Sequence, residues 1–384
     1  MKLFHTADWH LGKLVQGVYM TDDQKYILKQ FVEVIEKEQP DAVIVSGDLY
    51  DRAVPPTEAV HLLNDILDDI VLKLKIPVLA VAGNHDSPSR LHFGRKMMQH
   101  HGFYMTGQYA IDDQPVVLHD AHGPVHFHLV PYCDPSVVRN QFKDDAIRTH
   151  DQAMAKIVDH IKQQMDPKAR HVFVGHAFVT PLGEAEDNTS DSERPLSIGG
   201  SEYVASHHFL GFDYTALGHL HQAHYVDQEK IRYAGSILKY SISEEHHNKG
   251  FSIVEMDADG NVQIEKRPLT PLHDMRTVET SLEDLLTHAE NEDYVFVRLT
   301  DDTPILSPME KVRSVYPNAM HVERKYYYFN DDDEQTNFSA RSELTDTELF
   351  NAFYKEVKGI EPSTETKRIF SDVLNDLLKG EQAN

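Results

Sequence analysis

Five short stretches of this 384-residue chain carry the oxygen and nitrogen side chains that hold divalent cations. They are Asp8-x-His10, Gly47-Asp48-Leu49-Tyr50-Asp51, Gly83-Asn84-His85-Asp86, Gly175-His176 and Gly218-His219-Leu220-His221. A set of Asp, Asn and His suits Mn²⁺, Fe²⁺ or Zn²⁺, and its oxygen share leans toward Mn²⁺. Cys133 stands alone, which excludes a thiolate cage and an intrachain disulfide. The ligand count fits two metals. Two cations roughly 3.5–4 Å apart clamp the attacking and leaving oxygens of an in-line displacement at phosphorus. One carboxylate must bridge them, and Asp48, central in the series and backed by Gly47, is the candidate.

Each stretch has a bland reading when taken singly. Asp8-x-His10 reads as a strand end bonded to backbone amides, GDLYD and GNHD as tight turns, and GHLH as an edge strand with solvent-facing histidines. Jointly these readings fail, because turn chemistry does not require histidine and a core strand does not end in histidine by preference. In extended chain, side chains at i and i+2 share a side, so Asp8 and His10 are expected to face one way. Trp9, the only tryptophan, then faces the other way as a packing anchor.

The elements that must position these groups alternate between strand and helix in the first half. Strands are expected at Lys2–Ala7, Ala42–Ser46, Pro77–Ala82, a segment ending at His128–Tyr132, and Arg170–Val174. A capping-box pattern at Thr21–Gln24 opens a helix with Ile27, Leu28, Phe31, Val34 and Ile35 inward. A second helix, Thr57 to about Leu72, turns Val60, Leu63, Ile66, Leu67 and Ile70 inward, and Asp151–Met165 is a third. Glu184–Glu193 reads as a solvated loop. From Tyr214 the strands YTALGH, AHYV, IRYAG, FSIVEM and VQIEK suggest a second antiparallel sheet. Functional groups of open α/β sheets gather at the carboxyl ends of the strands, which here converge on one cleft.

The expected fold is a four-layer-type α/β sandwich, two sheets flanked by helices, with a small α+β capping domain and a helical C-terminal tail. The boundaries fall at 1–270 for the main domain, 271–335 for the small capping domain and 336–384 for the tail. The tail follows an acidic linker (DDDEQTN) and carries two amphipathic helices that dock on a partner or fold back.

Composition narrows the class. A formal charge of −25 argues against broad nucleic-acid binding through a basic face, yet bound cations supply local positive charge to an enzyme acting on phosphates. No apolar run is long enough to span a membrane and no secretory signal is evident, so a cytoplasmic location is expected. Most of the 25 histidines are surface or core residues without chemistry. His5 reads as a core histidine, and His207, His208, His246 and His247 as solvated doublets. Lys13, Arg52, Arg90 and Arg95 lie near the motifs, as phosphate contacts or as ordinary surface charge.

In that order, DWH, GDLYD, GNHD, an isolated GH and GHLH resemble the calcineurin-like metallophosphoesterase superfamily. The longer stretches HTADWHLGK, AGNHDSPSRL and YAGSILKYSISEEHHNKGF resemble its branch of bacterial nuclease subunits, which work with a coiled-coil ATPase. The resemblance spans residues 1–260. It implies that Asp8, His10, Asp48 and His221 hold one metal and that Asp48, Asn84, His176 and His219 hold the other. His85 would sit beside the scissile phosphate without ligating metal. Where archaeal and eukaryotic relatives carry a histidine, this chain has Asp51, whose expected role is to orient a metal-bound histidine. Asp86 either accepts hydrogen bonds behind the ligands or closes the turn, and Arg52 and Arg90 are candidate DNA contacts. The branch implies 3′→5′ exonuclease action without ATP, and ATP-dependent endonuclease action at ends and hairpins with the partner. It also implies a homodimer within a heterotetramer, with the tail docked at the base of the coiled coil. The rival readings are a phosphomonoesterase, protein phosphatase or cyclic-nucleotide phosphodiesterase with the same metal core, and a scaffold that lost the chemistry.

Overall fold

The computed structural model describes residues 1–184, 189–193, 196, 202–324 and 346–381. Two compact units divide the chain, Met1–Arg276 and Thr277–Asn384.

The first unit is built on two six-stranded sheets. In the first sheet, Lys2–Thr6 lies beside Ala42–Val45, then Val78–Val81 and Phe103–Thr106, all parallel. On its other side Lys2–Thr6 pairs antiparallel with Gly250–Met256, which pairs antiparallel with Val262–Pro268. The second sheet has a parallel centre of Gly123–Val130, Arg170–His176, Tyr214–Gly218 and Gln228–Tyr233, with antiparallel edges Val116–Asp120 and Tyr225–Val226. Their facing sides share one apolar layer, Leu3, Ile44, Leu79 and Val254 against Phe127, Val172, Val174 and Tyr214. Nearly continuous Val, Ile and Leu mark strands buried on both faces. The helix Thr21–Glu38 puts Phe31 against Phe4, Trp9 and Phe251 outside the first sheet. The helix His150–Lys162 covers the second sheet with Ala153, Met154, Ile157 and Val158. This is the four-layer sandwich.

Several local expectations are corrected. The strands after Tyr214 do not form a separate antiparallel sheet. Tyr214–Gly218 enters the second sheet in parallel, while Gly250–Met256 and Val262–Pro268 extend the first. Hydropathy marks each as a strand and cannot name its neighbour. Thr21 is not a cap: Met20 is the N-cap residue, and the Gln24 side chain binds a neighbouring loop instead. Val60 is 43% exposed, because Ala59, Leu62, Leu63 and Ile66 form the buried stripe. His5 is buried as expected, linking Tyr214 (2.8 Å) to Ser46 (3.0 Å) between the sheets.

In the second unit, Tyr294–Leu299 is the centre of a three-stranded sheet, parallel to His321–Arg324 and flanked by Met275–Thr280. The helices Leu282–Leu285 and Pro308–Arg313 complete a core of Leu285, Val295, Val297, Val312 and Tyr316. Two helices follow, Asp346–Lys358 and Thr364–Glu381, with Phe350 and Phe370 stacked at 3.9 Å. The acidic linker and the 335/336 boundary lie outside the described residues.

Candidate active site and metal centre

Five strand ends deliver the expected residues to one place. The first strand stops at Thr6, and the chain beyond it runs alongside the loop after Val45. The amides of Asp8, His10 and Leu11 donate to the carbonyls of Gly47 (3.1 Å), Asp48 (2.9 Å) and Leu49 (2.9 Å). Two loops thus continue the pairing of the strands that feed them. The shared orientation of Asp8 and His10 does not come from strand alternation, which corrects the reading by pleat. Both residues are left-handed (φ 53° and 45°), as is Asp48 (φ 50°), and His219 has φ 110°. Non-glycine residues in this region cost of order 1–3 kcal/mol each and persist where surrounding structure over-determines them. Trp9, between the two, is fully buried, donates to Thr6 Oγ1 (2.9 Å) and meets Phe31 edge-on.

The glycines before Asp48 and Asn84 have a steric cause. A Cβ on Gly83 would lie 2.1 Å from Asp48 Oδ1, and one on Gly47 2.3 Å from His176 Nδ1. Each ligand-bearing loop therefore rests on its neighbour's backbone.

Hydrogen bonds then aim the rings. His176 Nδ1 donates to Ser46 O (2.9 Å), which leaves Nε2 facing Asn84 Oδ1 (2.9 Å) and Asp48 Oδ2 (3.5 Å). His221 Nδ1 faces Glu244 Oε1 (3.1 Å) and Ser192 Oγ (2.8 Å), so its Nε2 meets His10 Nε2 at 3.0 Å. His10 Nε2 also lies 3.7 Å from Asp48 Oδ2. Among the described residues, three groupings bring ligand atoms within 4.8 Å of one another: Asp8, His10 and His221; Asp8, Asp48 and His176; His10, Asp51 and His85. His219 joins none of them, though its amide donates to both Asp8 oxygens and its ring lies 5.4 Å from that of His176.

The calcineurin-like phosphoesterase profile matches residues 1–223. The chain belongs to that family. Within it, this phosphoesterase is an SbcD-type member, 34% identical over 385 residues to the SbcD component of the SbcCD nuclease of Staphylococcus epidermidis, covering 99% of this chain and 97% of the relative. A second profile, the type 5 capsule protein repressor C-terminal domain, matches residues 271–358. Among solved structures, a dimetal phosphatase from Danio rerio matches at 11% identity (TM-score 0.42), over 70% of this chain and 96% of that one. GAP50, the anchor in the inner membrane complex of Plasmodium, matches at 13% identity (TM-score 0.38), over 70% and 89%. Among the described residues no helix is long and apolar enough to cross a membrane.

The electrostatics of this phosphoesterase fit divalent cations. Burial and the neighbouring histidines hold His10 and His219 well below the usual imidazole range, so they present lone pairs. Burial and the nearby Asp48 push Asp8 well above the usual carboxylate range, the signature of two acids that call for a positive charge between them. Among the described residues, His10 Nδ1 is buried with no hydrogen-bond partner. A cation among these groups satisfies lone pairs and carboxylates together.

The other expected residues separate by contact. His85 Nδ1 donates to the Asp51 carbonyl (2.8 Å), and its amide donates to Asp48 Oδ1 (2.9 Å). The Asp51 carboxylate pairs with Lys13 Nζ at 2.9 Å and stands 3.7 Å from His10 Nδ1. Asp86 accepts from the amides of Leu49, Tyr50 and Gly83 and clips two loops together. Arg52 is exposed, 4.0 Å from Asp51, Arg90 is exposed on the short helix Pro88–His92, and Arg95 pairs with Asp113.

Reading the sequence missed the groups that hold the ligand loops. Gln24 donates to the carbonyls of Trp9 (3.1 Å) and His10 (2.7 Å) and accepts from the Gly12 amide (3.0 Å). Glu244, Lys249 and Tyr240 lie in the stretch SILKYSISEEHHNK, which has no ligand spacing of its own. The Glu184–Glu193 loop is not simply solvated: Glu193 Oε1 accepts from the His221 amide (2.6 Å), because the buried site needs an acceptor there. His208 bonds Asp151 (2.8 Å), so it and the half-buried His247 are not solvated doublet members.

Proposed function

We propose that this phosphoesterase is a two-metal DNA nuclease. The observation that carries the reading is the convergence of His10, His221, His176 and Asn84 donor atoms around Asp48, with His85 held beside them. The relative named as part of a nuclease, similar over nearly the whole chain, supports DNA as the substrate. Asp8, His10, Asp48 and His221 would hold one cation, and Asp48, Asn84, His176 and His219 the other, with Mn²⁺ favoured by the oxygen share. When bound, the cations supply charge to the phosphoryl oxygens and activate the attacking water. Asp48 spans both positions. His85, with Nδ1 committed to a carbonyl, leaves Nε2 to face a phosphoryl oxygen or to pass a proton to the leaving 3′ oxygen. Asp51 and Lys13 fix the wall behind His10, and Arg52 and Arg90 take phosphates of the DNA.

The finer reading is 3′→5′ exonuclease action alone and ATP-dependent endonuclease action at ends and hairpins with an SbcC-type coiled-coil ATPase, two copies of each forming a cytoplasmic heterotetramer. The helical tail is the docking element. Exposed Leu349, Phe353, Ile369 and Val373 recur at helical spacing on its two helices, which suits a coiled-coil partner. The units are residues 1–270 for catalysis, 271–335 for DNA recognition and 336–384 for the partner.

The experiment is Mn²⁺-dependent hydrolysis of linear and hairpin DNA against nitrophenyl phosphate, with His85→Ala alongside. DNA cleavage that His85→Ala abolishes at unchanged metal content is expected. Turnover of nitrophenyl phosphate with DNA untouched would establish a phosphomonoesterase instead. Deletion of 343–384 is expected to spare nuclease activity and abolish co-purification with the ATPase.

A further inference from the structure

The two cation positions are supported in different ways. On one side, His176 Nδ1 is held by a neutral backbone carbonyl, Ser46 O at 2.9 Å. On the other, His221 is gripped by a charged pair. Glu244, fully buried, sets Oε1 3.1 Å from His221 Nδ1. Ser192 Oγ shares that nitrogen at 2.8 Å and donates to the same carboxylate oxygen. Glu244 Oε2 accepts from Lys249 Nζ at 2.5 Å, and Lys249 also donates to the His221 carbonyl (2.9 Å) and Ser236 Oγ (2.8 Å). The pair therefore holds both the ring and the backbone of one ligand. In the same segment, the Tyr240 hydroxyl donates to the Trp9 carbonyl, on the loop that carries Asp8 and His10.

We propose that Glu244 and Lys249 are positioning residues that hold His221 with its proton on Nδ1 and its lone pair on Nε2. They thereby set the affinity of one cation position, that of Asp8, His10 and His221, without setting the other. The inference rests on the two-cation reading above. A carboxylate that accepts from a ligating histidine's far nitrogen raises the ligand's basicity and fixes its orientation; losing such a partner typically costs about 10–100-fold in metal affinity. Lys249 is needed because a buried carboxylate without a counter-charge is strongly destabilising.

The test uses the metal-free full chain, calorimetric titration with Mn²⁺, and ¹⁵N NMR of the histidine rings, with the His221 signal assigned by its loss in His221→Ala. Glu244→Gln combined with Lys249→Met removes both charges at once, so neither is stranded. In wild type, two bound Mn²⁺ and an Nδ1-protonated His221 are expected. In the double variant, one site is expected to weaken about 10–100-fold while the other keeps its affinity, and Nε2-protonated His221 is expected to appear in the metal-free spectrum. Lys249→Arg, which keeps the charge, is expected to retain both sites, and it carries the test if the double variant does not fold. Equal weakening of both sites, or an unchanged isotherm and tautomer, would overturn the proposal. Wild type binding fewer than two Mn²⁺ would instead overturn the two-cation reading.

Discussion

His10 and His221, 211 positions apart in the chain, turn their Nε2 atoms toward each other at 3.0 Å in the buried floor of the site. Two ring nitrogens so placed share a single proton or point their lone pairs at one cation. The buried Asp8 and Asp48 carboxylates flank the pair, and a cation between the two lone pairs meets both acids, whereas a shared proton leaves them uncompensated.

Mn²⁺ is therefore expected to stabilise the chain. A ligand at 100 times its dissociation constant adds about 2.7 kcal/mol per site, read as a rise in the thermal midpoint that EDTA reverses. Asp48→Ala is expected to remove most of that rise, since Asp48 faces both His10 and His176. A variant that retains two cations by elemental analysis would remove Asp48 as the bridge.

Gly83→Ala places a methyl 2.1 Å from Asp48 Oδ1 and 2.5 Å from the Asp48 amide nitrogen. Relief requires moving the loop that carries Asp48, at a cost of about 1–3 kcal/mol. The expected outcome is a folded protein with lost metal and lost hydrolysis. Full activity would show that the loops tolerate the displacement.

Gln24→Glu keeps an acceptor for the Gly12 amide but sets a carboxylate against the Trp9 and His10 carbonyls, where the amide had donated. Buried groups left unsatisfied cost about 1–3 kcal/mol each. Urea denaturation is expected to show Gln24→Glu less stable than Gln24→Ala, which leaves room for water. The reverse order would indicate that Gln24 only fills space.

The metal-free chain is expected to lose stability on acidification. Burial pulls His5 and His128 down to about 3, so the stability they contribute is present above 6.5 and lost as pH falls toward 3. His10 and His219 act in the same direction. Asp86, pushed up to about 7 by burial and by Asp48, acts oppositely: its contribution is present below 3.8 and lost as pH rises through 7. Asp8 sides with it. Burial lowers His126, His150 and His247 as well, so the groups that lose stability on acidification outnumber those that gain it between pH 6.5 and 4. The urea midpoint at pH 4.5 is expected to fall below that at pH 6.5, and a rise would contradict the balance.

Much of this molecule can be read from residue types in order. Strand-length apolar runs ending in Asp8, Asp48, Asn84, His176 and His219 specify a two-sheet α/β core with its chemistry at the carboxyl ends, because burial on both faces demands continuous apolar strands. Asp48 was legible as the central carboxylate from its place in the series alone. Other features needed the fold. Which strands pair is a contest among similar apolar segments, so YTALG and FSIVEM could not reveal that they join different sheets. The left-handed backbone of Asp8, His10 and Asp48 is imposed by loop-to-loop amide bonds, against the local preference of each residue. Gln24 sits in a capping-box pattern it does not serve, and Glu244 and Lys249 fall in no ligand spacing: a polar side chain becomes a support only when other segments close around it and leave it one set of partners. Periodicity records local burial, whereas these contacts join residues from 5 to 216 positions apart.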